Sequence, residues 1–576
     1  MRCDRLALIL AGSLVPSASG FAETPAAAPP TTDIKLSQIG YPTRGSKLAF
    51  VVAKAPAASF SVVRTADGAP VLTGRLAEPA ADADSGDRLR TADFSSLDQP
   101  GRYVLDVSGV GRSFEFAIGD DVFARPLYLA MRSFYGQRCG TAVDLGPGFP
   151  DYRYPACHRE GAWHASSGKT GRRASTKGWH DAGDYGRYVV NSGITTGTLL
   201  WAFEMFGDRL RELVLDIPES GDALPDVLDE VRWNLEWMLA VQDEDGGVFH
   251  KQTSERFPGF VMPPDDTTVS YAIGTGSEPF KGTCATADLA AVAAIAARVY
   301  RPHDPTFADT ALGAARKAWA WAAAHPAVIY RNPPGVATGA YGDGSCGDEL
   351  LWAAAELWRT SGDEAAGRYF LDHEGELRAS LKLDGPPAWP NVAPLAFWTY
   401  AFASGGDEGA RRAIRDASLA AADSIVARSA ANGYRVSLVT ADYVWGSNGV
   451  AANYGLQLLV ANAMKPNPRY VEAARDNLYY LLGRNTFSLS WVTQVGANPF
   501  RHPHHRPSGA DANAEPWPGL LSGGPNRRKQ DTAMQTLLDG LPPAKMYLDE
   551  QDSYASNENA INWNAPLVFL LAGLSR

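Results

Sequence analysis

Cysteine is scarce in this chain: five in 576 residues, with Cys3 ahead of the first apolar run and only Cys139, Cys157, Cys284 and Cys346 after it. So few cysteines cannot staple a chain of this length, and its stability must come from buried apolar surface. Membrane-length apolar runs are lacking too. The stretch Leu6 to Val15 is only about half the roughly 20 residues that span a bilayer, and no later segment reads as a span. No cysteine follows that stretch closely, which excludes a lipoprotein-type anchor, so no membrane anchor is expected. Positive charge is in deficit, with a formal net charge of -11. Nucleic acid and other polyanions are therefore excluded as main partners, because binding phosphate requires clustered Lys and Arg. Aromatic residues are plentiful, 15 of them Trp, and their flat faces suit both core packing and contact with sugar rings.

The start of the chain, MRCDR, the apolar run and Gly20-Phe21-Ala22, has the form of a signal peptide over residues 1–22, which predicts a secreted or periplasmic protein. Residues 23–32, rich in Pro and Ala, read as a linker. From 33 to 119 the pattern is short alternating runs such as KLAFVVA, SFSVVRT and GRYVLDVSG, separated by turn residues. Roughly seven such strands predict a small Ig-like β-sandwich. Beyond Val122 the apolar period lengthens: Leu224, Val227, Leu228, Val231, Leu235, Met238 and Leu239 mark one helical face, and similar stripes continue to residue 573. Around a dozen helices without a fixed repeat length disfavour a solenoid and favour a closed helical toroid over residues 122–576.

Three segments carry chemistry. In Gly178-Trp179-His180-Asp181-Ala182-Gly183-Asp184-Tyr185-Gly186, two carboxylates three residues apart can converge on one water, though the same residues also suit a solvated Asp-Gly turn. In Asp552 to Asn564, Glu558 precedes the last apolar helix. A Glu there can simply complement the helix dipole, but the surrounding Tyr554, Trp563 and amides can also raise its pKa enough to hold a proton for a leaving group. The third is Asn498-Pro499-Phe500-Arg501-His502-Pro503-His504-His505-Arg506. It offers donors fixed by proline that suit sugar hydroxyls, with a structural polar network or a metal site as alternatives.

Together with the opening Gln38-Ile39-Gly40-Tyr41 and Phe134-Tyr135-Gly136-Gln137-Arg138-Cys139-Gly140, these segments resemble glycoside hydrolase family 9, the endoglucanase-type cellulases, in the subgroup with an N-terminal Ig-like domain. The resemblance implies a mainly α chain: an (α/α)6 barrel catalytic domain preceded by a small Ig-like β-sandwich. It implies Asp184 as general base, Asp181 helping to orient the water and Glu558 as general acid, with His504, Arg506 and Tyr554 holding the sugar. The activity implied is endo-acting cleavage of β-1,4-glucan with inversion. An exo-acting β-glucosidase or exo-β-glucosaminidase would keep the same fold and mechanism, and a non-catalytic sugar-binding protein would leave the carboxylates unused.

Cys139, the adjacent pair Cys157-His158, and His180 make up a two-sulfur, two-nitrogen set of the kind zinc takes. Export favours a Cys139–Cys157 disulfide instead. The resemblance implies structural zinc at these four positions, with no ligand place left for water. Asp343-Gly344-Ser345-Cys346-Gly347-Asp348-Glu349 offers hard oxygen ligands where relatives bind calcium, and it also suits a charge cluster at a helix start. Asn391 stands where a further acidic ligand is expected.

Overall fold

The computed structural model describes residues 29–54, 57–378 and 385–575. The signal peptide reading and most of the linker lie outside the described residues. The N-terminal part is a β-sandwich of ten short strands: β1 (Ile34–Lys35), β2 (Gly40–Tyr41), β3 (Leu48–Val52), β4 (Ser59–Arg64), β5 (Pro70–Arg75), β6 (Ala80–Ala81), β7 (Arg88–Asp93), β8 (Gly101–Val107), β9 (Gly111–Arg112) and β10 (Phe116–Ile118). One sheet runs β1-β3-β7-β6 and the other β2-β10-β8-β4-β5, with β9 beside β8. The strands exceed the seven expected because four of them are two-residue pairings too short to leave an alternating signature.

The sandwich is fixed to the helical part by the opening motif. Gln38 Nε2 donates to Ser488 O at 2.8 Å, and Gln38 Oε1 accepts from Asn498 N at 2.8 Å. Gly40 has φ +123°, and a Cβ there would lie 2.0 Å from Ala117 O, so β2 and β10 can pair only around glycine. Asn498 begins the His- and Arg-rich segment, so this contact bears on the placement of site residues.

Among the described residues, the remainder carries short strands and fourteen α-helices, twelve of them with ten or more residues. These are α1 (Ala124–Gly136), α2 (Val189–Leu210), α3 (Asp226–Ala240), α4 (Thr283–Tyr300), α5 (Pro305–Ala324), α6 (Gly347–Ser361), α7 (Glu364–Leu377), α8 (Ala393–Phe402), α9 (Glu408–Ala431), α10 (Ser447–Met464), α11 (Pro468–Leu481), the short α12 (Arg506–Ala510) and α13 (Tyr554–Asn557), and α14 (Ile561–Leu574). Helices α2, α4, α6, α8, α10 and α14 are apolar over most of their surface. Those between them are amphipathic: α5 buries Phe307, Ala308, Ala311, Ala315, Ala318 and Ala322 along one stripe. Helix α2 packs on α14 and α4, α4 on α6, α6 on α8, and α10 on α14, while α9 lies against both α8 and α10. Buried Glu356 of α6 accepts from Trp201 Nε1 (3.1 Å), Thr399 Oγ1 (2.5 Å) and Arg298 Nη2 (2.9 Å), joining α2, α8 and α4 through one satisfied charge.

Helix α4 corrects one expectation. By length and composition alone it is apolar enough to cross a membrane, although no later span was read from the sequence. It is buried among its neighbours at every position except Arg298. Its alanines and the glycines of α2 account for this: a Cβ at Gly193 would meet Asp288 Cβ of α4 at 2.8 Å.

A five-stranded sheet, β14-β13-β17-β16-β15, lies in the loops ahead of these helices. Its strands are β13 (Glu160–Trp163), β14 (Arg172–Ala174), β15 (Arg187–Tyr188), β16 (Lys251–Thr253) and β17 (Ser270–Ile273), following the small pair β11 (Val143–Asp144) and β12 (Arg153–Tyr154).

Candidate active site and metal cluster

The chemistry-bearing residues lie in the segments that lead into core helices: Asp181 and Asp184 before α2, Tyr341 before α6, Trp445 before α10 and Glu558 before α14. The three segments singled out in the sequence meet at Gly183. Its N–H donates to Glu558 Oε1 at 3.3 Å, and its carbonyl accepts from Arg506 N at 3.1 Å and Arg506 Nη1 at 2.8 Å. A Cβ at Gly183 would lie 1.9 Å from His504 O, so only glycine lets the two chains approach this closely. His504 in turn pairs in parallel with Glu558, its N–H donating to Asn557 O at 3.0 Å.

Asp181 is buried and held at both oxygens, Oδ1 accepting from Asn191 Nδ2 at 2.6 Å and Oδ2 from Tyr341 OH at 2.5 Å. Burial, and then the charge of Asp184, push its carboxyl above the ordinary range. Asp184 is held on one side only: Oδ2 accepts from Tyr188 OH at 2.9 Å and Gly186 N at 3.0 Å. That leaves Oδ1 as the oxygen able to take a proton from water. Glu558 is partly exposed, as a group that must reach a ligand has to be. Burial around its carboxyl, then the charges of Asp184 and Asp181, push its pKa well up, and Gly183 N–H and Arg506 offset only part of this. Burial and the repulsion of neighbouring carboxylates thus favour the protonated form at Asp181 and Glu558.

The sugar-holding candidates have distinct surroundings. His504 Nδ1 donates to Gln551 O at 2.7 Å, which leaves Nε2 as an acceptor, and burial lowers the imidazole pKa so that it stays neutral. Arg506 gives Nε to Pro258 O at 3.0 Å and Nη1 to Gly183 O, so much of its guanidinium braces main chain at the site. Tyr554 is 37% exposed beside Trp445, which is 38% exposed, their ring centroids 5.4 Å apart. Two open aromatic faces side by side form a surface on which sugar rings can stack.

Three of the four metal candidates also converge. Ligand atoms of Cys139, His158 and His180 lie within 4.8 Å of one another. Both ring nitrogens of buried His180, and Nδ1 of His158, lack hydrogen-bond partners. His158 Nε2 meets Asp266 Oδ2 at 3.0 Å, the carboxylate backing typical of a metal-bound imidazole. Cys157, adjacent in sequence, interacts with the His158 ring. The alternative Cys139–Cys157 disulfide is not formed: both are free thiols, and the disulfide joins Cys284 to Cys346. That pairing was not read from the sequence, since 62 residues separate its ends.

Tyr188, Asn191, Tyr341 and Trp445 were missed by sequence reasoning. Tyr188 and Asn191 sit where the loop enters α2, and an aromatic residue four positions after Asp184 was the available signal. Tyr341 is 160 residues from Asp181 and gave none.

The β-sandwich, the helical domain and the three carboxylates gathered around Gly183 form the setting of a glycoside hydrolase. The chain belongs to glycosyl hydrolase family 9, which it matches over residues 123–571, with the cellulase N-terminal Ig-like domain over residues 29–112. It is 39% identical to Endoglucanase D of Acetivibrio thermocellus, over 96% of this chain and 86% of that protein. It is 35% identical to the xyloglucan-specific endo-β-1,4-glucanase of Bacteroides ovatus, over 95% and 94% of the two chains. The crystal structure of a Zn-binding triple mutant of the family 9 endoglucanase J30 superposes with a TM-score of 0.85 at 34% identity, over 93% of this chain and 99% of that one.

Proposed function

We propose that the protein is an exported, endo-acting β-1,4-glucanase that works by inversion, its twelve long helices closing as an (α/α)6 barrel. The observation that carries this reading is the junction at Gly183, where the Asp184 loop meets Glu558 and the Glu558 carboxyl is pushed toward its protonated form. Asp184 takes a proton from water, whose oxygen forms the new bond to the anomeric carbon. Glu558 gives its proton to the glycosidic oxygen as the old C–O bond breaks on the other face. Asp181, clamped by Asn191 and Tyr341, orients the water. His504 Nε2, the free part of the Arg506 guanidinium and the Tyr554–Trp445 pair bind the flanking sugars. The named activities of the two relatives, both endoglucanases, support the substrate class, and residues 1–22 support export.

The donor set at Cys139, Cys157, His158 and His180 fits zinc, because buried imidazole nitrogens without partners beside two buried free thiols are otherwise costly. Zinc there would supply a structural crosslink beneath the catalytic loop, since His180 adjoins Asp181. Calcium fits the second cluster. Asp288 and Glu349 are fully buried, all four of their carboxylate oxygens lack hydrogen bonds, and Asp343 Oδ2 is likewise unpartnered. Asp348 Oδ2 accepts from Val392 N at 2.8 Å, beside Asn391. A hard cation would neutralise this charge and fix the starts of α4 and α6.

Product analysis over time tests the substrate reading. On a panel of cellohexaose, carboxymethylcellulose, mixed β-glucan, xyloglucan and chitosan oligomers, we expect early release of oligosaccharides of mixed length from the β-1,4-glucans, with a fast fall in viscosity of the polymers. Release of terminal monosaccharide alone would replace the endo reading by an exo-β-glucosidase or exo-β-glucosaminidase.

A further inference from the structure

Lys251 is fully buried in β16, yet it forms no salt bridge with any described carboxylate. Its ammonium is held by neutral oxygens: Asn332 Oδ1 and Gly339 O at 2.8 Å, Thr338 Oγ1 at 3.2 Å and Thr338 O at 3.3 Å. All four belong to the segment that ends in Tyr341, the donor to Asp181 Oδ2. On the opposite side, Lys251 is the cross-strand partner of Tyr188, the donor to Asp184 Oδ2, with Nζ 5.5 Å from the centre of the Tyr188 ring. The two tyrosine rings touch, their centroids 4.8 Å apart. One buried cation thus ties the segment that carries Tyr341 to the ring of Tyr188.

We propose that Lys251 is a positioning residue for catalysis: it fixes the 332–341 segment so that Tyr341 reaches Asp181, and it supplies the buried positive charge that favours ionised Asp184. Burying a lysine without an ion-pair partner is costly, and such a group is ordinarily replaced unless its charge serves a neighbour. Burial pushes its pKa down to about 7, with Asp184 the one charge that counters this, so the lysine is cationic over the acid range that the acid limb samples. The pKa of His250, the residue before β16, is pushed down to about 3 by burial and then by Lys251, so this imidazole stays neutral, and Tyr188 and Tyr330 pack around the lysine. Asp184 for its part faces Asp181, Glu558, Tyr188 and His504, so Lys251 offsets a site crowded with carboxylates.

The inference rests on Asp184 acting as the base. Its test compares full-length wild type, Lys251→Met and Lys251→Arg for kcat and KM on cellohexaose across pH, with Tm recorded for each. Lys251→Met should lower kcat by about a hundredfold with KM changed by less than about threefold, and should move the acid limb of kcat/KM upward by about one pH unit. Lys251→Arg keeps the charge and should keep the acid limb. If Lys251→Met does not fold, Lys251→Arg and Tyr341→Phe carry the test: the first should hold the acid limb, and the second should lower kcat without raising KM. A wild-type kcat and acid limb in Lys251→Met, or a loss confined to Tm or KM, overturns the proposal. An active Asp184→Asn enzyme would instead overturn the base assignment on which it rests.

Discussion

Asp184→Asn is expected to fold as the wild type does and to lose activity by about 10²–10⁴-fold in kcat, with KM nearly unchanged. The amide keeps the shape and can still accept from Tyr188 OH and Gly186 N–H, the two bonds that hold Asp184 Oδ2, but it cannot take a proton from water. Glu558→Gln should lose as much on oligosaccharides and far less on an aryl glycoside whose leaving group needs no proton. The pH dependence follows from the same groups. Glu558 works only while protonated, and its pKa is raised first by burial and then by Asp184 and Asp181. Activity should therefore persist above the ordinary carboxylate range and fall as pH rises through that elevated value. Steady-state kinetics of both variants across pH, with circular dichroism to verify the fold, measures each point, and full activity in either variant on a natural glucan would remove the mechanism.

Loss of zinc should have the second-largest effect. The purified protein is expected to hold about one zinc per chain, and Cys157→Ser or prolonged chelation should remove it. Structural zinc contributes folding free energy directly, so the loss should reach several kcal/mol and lower Tm by something on the order of 10 °C. Because His180 adjoins Asp181, and because His180 N donates to Gln137 O at 2.7 Å while Gln137 Nε2 donates to Ala182 O at 3.0 Å, kcat should fall alongside stability. Elemental analysis, thermal melts and kinetics on the same sample measure the three together. A Cys139–Cys157 disulfide found by mass spectrometry in a zinc-free active protein would contradict the site.

Much of this was legible in the sequence because the signals were local. The shift from a period of two to one of 3.6 after Val122 marked the change from sandwich to helices, and Asp181, Asp184 and Glu558 stood in short segments of unusual composition. The joining of those segments was legible only through family resemblance, since no periodicity places Gly183 against His504 and Glu558, which are more than 300 residues away. Contacts of that kind left no trace: Tyr341 on Asp181, Trp445 beside Tyr554, and Cys284 bonded to Cys346. Lys251 was hidden for a different reason. A single Lys in a strand of three residues reads as surface, and its burial follows from the polar segment folded over it.

The central claim is that water attacks from the side opposite Glu558, and the configuration of the first product tests it most directly. Proton NMR during the first turnovers on cellohexaose, before mutarotation mixes the anomers, reads the newly formed reducing end. Inversion of a β-linkage must release the α-anomer first, with its signal decaying toward equilibrium as the β-signal grows. Initial release of the β-anomer would show retention through a covalent intermediate, and Asp184 could not then be the base that activates water.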